Sequence, residues 1–291
     1  MRKLYLISTE HLENTVWFRS EDDFRVGMNY VAVLAAKFSN VTVLVFILMS
    51  NHVHFVLYGK REDVISFINQ FKRRYSQYVR RKYGVREFLR NNKVDVKVIE
   101  FADEAPERAY AYVQMNCVAA NICSHPFQYP WGTGNVFFNP SLKKDGIRVG
   151  DMSGRALKRM LHSEGISLPD DWIVSGDGYI LPESYVNVKA VEDCFKTPQR
   201  LDYFYRNSSK AKMRLESTDS NLPSFRDQII LPAVNELCRT LFDKKSFEML
   251  SINEQVEILR QLRFRFSADT HQLARVCGLS YKEVSRLLDN V

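Results

Sequence analysis

The feature that most constrains this chain is an unbroken apolar run, Val41 to Met49 (VTVLVFILM), which halts at Ser50-Asn51 and resumes as HVHFVLY. β-branched residues without polar interruption suit a strand buried on both faces. Ser50-Asn51 offers a tight turn, so His52 to Tyr58 is predicted to begin a second strand. Side chains alternate along a strand, so His52 and His54 project from one face while Val53 enters the core. Two imidazoles whose Cβ atoms stand about 7 Å apart can share one divalent ion. A strand with one polar face gives the same pattern by accident, so the pair decides nothing alone.

The surroundings of the pair add order. Lys3 to Ser8 reads as a strand, and Asp22 to Phe38 carries apolar residues at helical spacing. Glu62 to Tyr83 reads as a long basic helix that Gly84 stops, and Val94 to Phe101 alternates as a strand. Pro106 opens a further helix that runs to about Cys123. The order β-α-β-β-α-β predicts an α+β fold of the ferredoxin-like or RRM-like kind, an antiparallel sheet with helices on one face. This domain is expected over residues 1–135, with a turn-rich connector at 136–152 and a mostly helical domain over 153–291.

A net charge of +7 favours a polyanionic partner, most simply nucleic acid. The basic helix supplies Lys72, Arg73, Arg74, Arg80, Arg81 and Lys82, poised to track a phosphate backbone. Phe67, Phe71, Tyr75 and Tyr78 among them fall at core spacing. Five cysteines, an odd number without CxxC spacing, argue against a disulfide framework and a zinc site. They suit a reducing cytoplasm, and no apolar stretch reads as a signal or a membrane span. At the C-terminus, Thr270 to Val291 fits a helix-turn-helix with Gly278 at the turn. Ser280 would cap its second helix in a box with Glu283. Ser280, Tyr281, Lys282 and Arg286, with Ser285, would then face DNA. His11, His125, His162 and His271 stand alone in the sequence and read as structural or solvated.

ILMSNHVHFVLYG resembles the signature strand of the single-tyrosine HUH transposases, in particular the REP-associated tyrosine transposases. FKRRYSQYVRRKYG (71–84) is similar to that family's basic helix, AYVQMNCVAANI (111–122) to its tyrosine helix, and QYPWGTG (128–134) to its Tyr-Pro-Trp turn. The resemblance covers about residues 1–135 in order and spacing. It implies Tyr112 as nucleophile, and His52, His54 and Asn116 as ligands of a divalent ion, Mg²⁺ or Mn²⁺. The implied activity is nicking and rejoining of single-stranded, hairpin-bearing DNA through a covalent 5′-phosphotyrosine, in a prokaryotic cytoplasm at the nucleoid. Monomers and homodimers both occur among such enzymes.

Spacing cannot choose between Tyr112 with Asn116 and Tyr110 with Gln114, since both pairs stand four apart; only the resemblance selects the former. The chain departs from the family at Cys117 and Ala119, where proline and arginine are usual, which puts substrate specificity in doubt. Two other readings stand beside this one. A non-catalytic DNA-binding regulator would have kept the fold without the chemistry. An RRM-like RNA binder would need an aromatic run on a central strand, which is missing.

Overall fold

Strand β2 (Thr42–Met49) and strand β3 (His52–Gly59) form the hairpin around Ser50-Asn51, with Ile47 opposite His54 and Met49 opposite His52. The computed structural model describes residues 1–139, 146–163, 166–209, 225–266 and 268–289. Strand β1 (Lys3–Thr9) pairs antiparallel with β3, and β4 (Val94–Ile99) pairs antiparallel with β1. The strand order is therefore β2-β3-β1-β4, all neighbours antiparallel, in a β-α-β-β-α-β chain order.

Helix α1 (Glu21–Lys37) starts at a capping box, in which the Ser20 hydroxyl accepts from Asp23 N and the Asp23 carboxylate accepts from Ser20 N. Helix α2 (Arg61–Tyr83) ends at Gly84, whose φ of 72° few other residues adopt without strain. The predicted stripe Phe67, Phe71, Tyr75 and Tyr78 is buried, and Phe67 and Phe71 pack edge-on against Phe55 of β3. Burying a phenylalanine stabilises by about 1.5–3 kcal/mol, so this stripe is what holds α2 to the sheet. Phe55 points to α2, so by strand alternation His52 and His54 point away from it, to the opposite face.

That opposite face is covered by α3 (Ala105–Gln114) and the short α4 (Asn116–Ala119). The free edge of β2 is closed by the segment after α4. Leu48 N donates to Trp131 O and Tyr129 Oη donates to Leu48 O. Gly132 lies so close that a Cβ there would sit 2.6 Å from Phe46 O, which requires glycine.

The expected division at 136–152 differs from the observed packing. Residues 140–145 of that connector lie outside the described residues. Beyond it, Ile147–Arg148 (β5) and Ile173–Val174 (β6) form a small ladder, and α5 (Gly154–Leu161) lies beside it. Val149, Leu161, Val174 and Ile180 from this part pack on Ala32 and Val33 of α1. Helices α6 (Val188–Phe195) and α7 (Pro198–Arg206) bury Val191, Phe195, Leu201 and Phe204 in the same core as the sheet. The separate helical core begins only with α8 (Asp227–Phe242), and continues through α9 (Ile252–Phe266), α10 (Thr270–Cys277) and α11 (Tyr281–Asp289). Helices α10 and α11 meet at Gly278, φ 72°, and Ser280 with Glu283 forms the predicted capping box. Asn290 and Val291 of the expected second helix lie outside the described residues.

Candidate functional site

His52 and His54 lie on one face of β3, 5% and 2% exposed, their rings 4.8 Å apart. His52 Nδ1 donates to Asn51 Oδ1 at 2.8 Å, while Asn51 Nδ2 donates to Leu12 O, which fixes the orientation of the amide. This protonates His52 at Nδ1 and puts the ring lone pair on Nε2, the nitrogen that could ligate. His54 Nδ1 is held by Ser8 Oγ, also at 2.8 Å, across the β1–β3 ladder. Both imidazoles are thus oriented from behind, as ligands of an ion need to be.

The structure adds a third imidazole that the sequence reading set aside as solitary. His11 stacks on His52 with ring centroids 3.7 Å apart and 11° between planes. The loop after β1 brings it there, because Leu12 N donates to Asn51 O and Trp17 N to Ser50 O, lashing the loop over the hairpin turn. Ser8 pairs with His54, so the same antiparallel register would bring Glu10 level with His52 and His11 one residue beyond.

The ligand atoms of His11, His52 and His54 lie within 4.8 Å of one another. Three nitrogens around one ion at about 2.1 Å stand roughly 3.4 Å apart in tetrahedral geometry. Closing that gap takes about an ångström, which the exposed His11 on its loop can supply. The donor set fits a borderline ion such as Zn²⁺ best, and of the harder ions Mn²⁺ better than Mg²⁺, which keeps most closely to oxygen.

Tyr112 on α3 meets the pair from above, its ring edge-on to His54 at 5.7 Å. Burial pushes its phenol above the usual tyrosine value, opposed by the ammonium of Lys97 and reinforced by Asp95. Tyr110 faces the other way. It is 3% exposed and packs on Phe195, and Gln114 bonds Thr133 O and the Tyr205 hydroxyl. Of the two tyrosine pairs that spacing left open, only Tyr112 reaches the histidines. Asn116 turns its Nδ2 back to the carbonyls of Tyr112 and Val113, so Oδ1 is the atom it could offer an ion. No family model, no curated protein and no solved structure matches this chain.

His11, His52 and Asn116 line a cavity of about 650 Å³ whose far wall comes from the C-terminal helices through Asp269, His271 and Arg275. Asp227, 3% exposed, ties the two parts together. Its carboxylate accepts from Ser50 Oγ at 2.7 Å, from Gln272 Nε2 at 2.8 Å and from Arg275 Nε at 3.0 Å. Ser50 is two residues from His52, so this tie sits directly behind the hairpin turn. Sequence reasoning missed Asp227, since nothing local distinguishes it from other acidic helix starts.

The six cations of the basic helix have unequal surroundings. The helix lies on the face of the sheet away from the histidines, so it cannot feed the same strand into Tyr112 by proximity. Lys72 is buried and donates to Asn92 O, and burial lowers its pKa; it is a structural tie. Lys82 is held by Asp22 and Asp23 at 2.8 Å each and by the Tyr78 hydroxyl. Arg73 and Arg80 are exposed, while Arg74 and Arg81 reach Ser163 Oγ and His162 O beyond α5. In the C-terminal pair, Tyr281, Lys282 and Arg286 are exposed, but the Ser280 hydroxyl is engaged in the cap with Glu283.

Proposed function

We propose that this chain is a metal-dependent enzyme that cleaves and rejoins single-stranded DNA through a tyrosyl-phosphate intermediate, as the resemblance to HUH transposases implies. The observation that carries the reading is Tyr112 edge-on to His54, beside the three clustered imidazoles. The strand order and chain order agree with the ferredoxin-like arrangement. In this reading α10 and α11 are a helix-turn-helix that presents Tyr281, Lys282 and Arg286 to DNA.

His52 and His54, with His11 or Asn116 as third ligand, would hold the ion. The ion, Mn²⁺ rather than Mg²⁺ on this donor set, supplies Lewis-acid stabilisation of the phosphoryl oxygens. The Tyr112 hydroxyl loses its proton and its oxygen bonds to phosphorus as the bond to the 3′ oxygen breaks. The products are a 5′-phosphotyrosine and a 3′-hydroxyl. The reverse attack by a 3′-hydroxyl restores the diester and the tyrosine, with no external energy source. Orientation of the nucleophile against a fixed metal site is the main catalytic contribution.

Incubation of labelled hairpin DNA with the protein and Mn²⁺ should give an adduct that survives denaturation. Tyr112→Phe should abolish it and Tyr110→Phe should leave it. Metal-independent binding with no adduct on any hairpin would replace this reading with a DNA-binding regulator.

A further inference from the structure

A cavity larger than the one beside the histidines lies elsewhere. It opens on the other face of the sheet between α2 and α5, about 950 Å³ in volume, and its walls are cationic. Arg74 and Arg81 come from α2, and Arg155 and Arg159 from α5. Among the described residues none of these four has a carboxylate within salt-bridge distance; Arg74 and Arg81 donate to a hydroxyl and a carbonyl. The one acid among the described residues of the wall, Asp22, is already bonded to Lys82 at 2.8 Å. Four uncompensated guanidiniums around one depression repel one another, an arrangement that an anion relieves.

We propose that this cleft binds the phosphodiester backbone of a DNA duplex segment, such as a hairpin stem, separately from the site where the strand is cut. Two observations select an extended, double-stranded polyanion. First, the cleft does not end at its rim. Gln77 borders it and also two neighbouring depressions, one carrying Arg73, Arg80 and Arg90 and the other Lys37 and Arg73. The guanidiniums therefore run on along α2 as a track. Second, the tyrosines of the cleft are not available for bases. Tyr30 and Tyr78 line it but are 1% and 3% exposed, with Tyr78 bonded to Asp23. Platforms for single strands need exposed rings on which bases stack, whereas a duplex presents phosphates alone. Arg is also suited to fork onto phosphate oxygens.

The inference rests on DNA being the substrate, but not on cleavage. Full-length protein is titrated into a labelled hairpin with a stem of about two turns, in EDTA, by fluorescence anisotropy across a salt series. Arg155→Ala with Arg159→Ala, both exposed residues, should lower affinity about tenfold. The double variant should also reduce the slope of log K against log salt by about 1.8, the counterion release of two phosphate contacts. Adduct formation on a short unpaired oligonucleotide should be unchanged. An unaltered affinity and slope, with circular dichroism showing a folded protein, would overturn the proposal. Binding of pyrophosphate that needs Arg155 and Arg159, with no competition from the duplex, would overturn it in favour of a small polyphosphate site. Absence of the Tyr112 adduct in the parent protein refutes the cleavage reading and leaves this binding result standing.

Discussion

On the α3 face of the sheet His52 and His54 are buried and held from behind; on the α2 face Arg81, Arg155 and Arg159 of the cleft are exposed. His52 and His54 are each fixed by a hydrogen bond at Nδ1. Arg155 and Arg159 have no carboxylate beside them among the described residues and are exposed. A site that does chemistry needs the first arrangement, because geometry must be ready before substrate arrives. A surface that grips a flexible polyanion needs the second, because attraction and counterion release do not require fixed rotamers. One sheet can thus keep a reaction and a grip on opposite sides.

The largest effect should come from the histidines. His54→Ala or His52→Ala should lower Mn²⁺ affinity more than about 100-fold, beyond the loss typical of groups behind the ligands, as read by electron paramagnetic resonance. Hairpin binding in EDTA should be untouched, which keeps the two faces separate. His11→Ala sharpens the picture. A loss of about 10- to 100-fold makes His11 a ligand. Unchanged Mn²⁺ affinity would leave it a stacking partner of His52 and return the third position to Asn116, whose Asn116→Ala variant would then show the loss.

Next in size is Asp227→Ala. It leaves the largely buried Arg275 without its carboxylate, at a cost of about 3 kcal/mol, and also removes the bond to Ser50. Denaturant unfolding should show the loss, and limited proteolysis should cut sooner between the sheet domain and α8. If stability and proteolysis are both unchanged, Asp227 does not hold the helical wall against the hairpin turn.

The unequal legibility of the two faces follows from the same contrast. The hairpin was readable because β2 is continuous and apolar and strand alternation alone puts His52 and His54 together. The core stripe of α2 was readable because Phe67, Phe71, Tyr75 and Tyr78 keep helical spacing. Choosing Tyr112 over Tyr110 needed the third dimension, since the two differ only in which partner, His54 or Phe195, the helix turns toward. His11 sits on an irregular loop held by backbone bonds to Ser50 and Asn51, which no side-chain periodicity encodes. The cleft was equally hidden, because α5 lies about 80 residues along the chain from the α2 arginines it faces. The basic run looked uniform in sequence; burial of Lys72 and the acids at Asp22 and Asp23 made it heterogeneous.

Lys72→Met tests that heterogeneity with a smaller effect. Hairpin affinity should stay within about twofold, since an exposed-site contribution is at most about 1 kcal/mol and Lys72 is not exposed. Burial lowers the Lys72 pKa, so between that lowered value and the ordinary lysine value the unfolded chain binds more protons. Stability of the parent should therefore rise with pH across that window, and the methionine variant should flatten the rise. A tenfold loss of hairpin affinity would put Lys72 back among the DNA contacts.

The smallest effect is expected at Asp22, a carboxylate of the cleft wall. Its bond to Lys82 holds its pKa below the ordinary aspartate value. A depressed carboxylate contributes stability above the unfolded-state pKa, and the contribution is lost as pH falls through the folded value. With the side chain 55% exposed, the pair is worth only a few tenths of a kcal/mol. Asp22→Asn should therefore lower the melting temperature slightly at pH 7, and the difference should vanish as pH falls through the lowered folded value. The same substitution removes a negative charge facing the cleft arginines, so hairpin affinity should increase about twofold at low salt, and less as salt screens the cleft. A decrease in affinity would mean that Asp22 orders the cleft through Lys82 more than it opposes the phosphates, and the electrostatic contrast between the two faces would then be overstated.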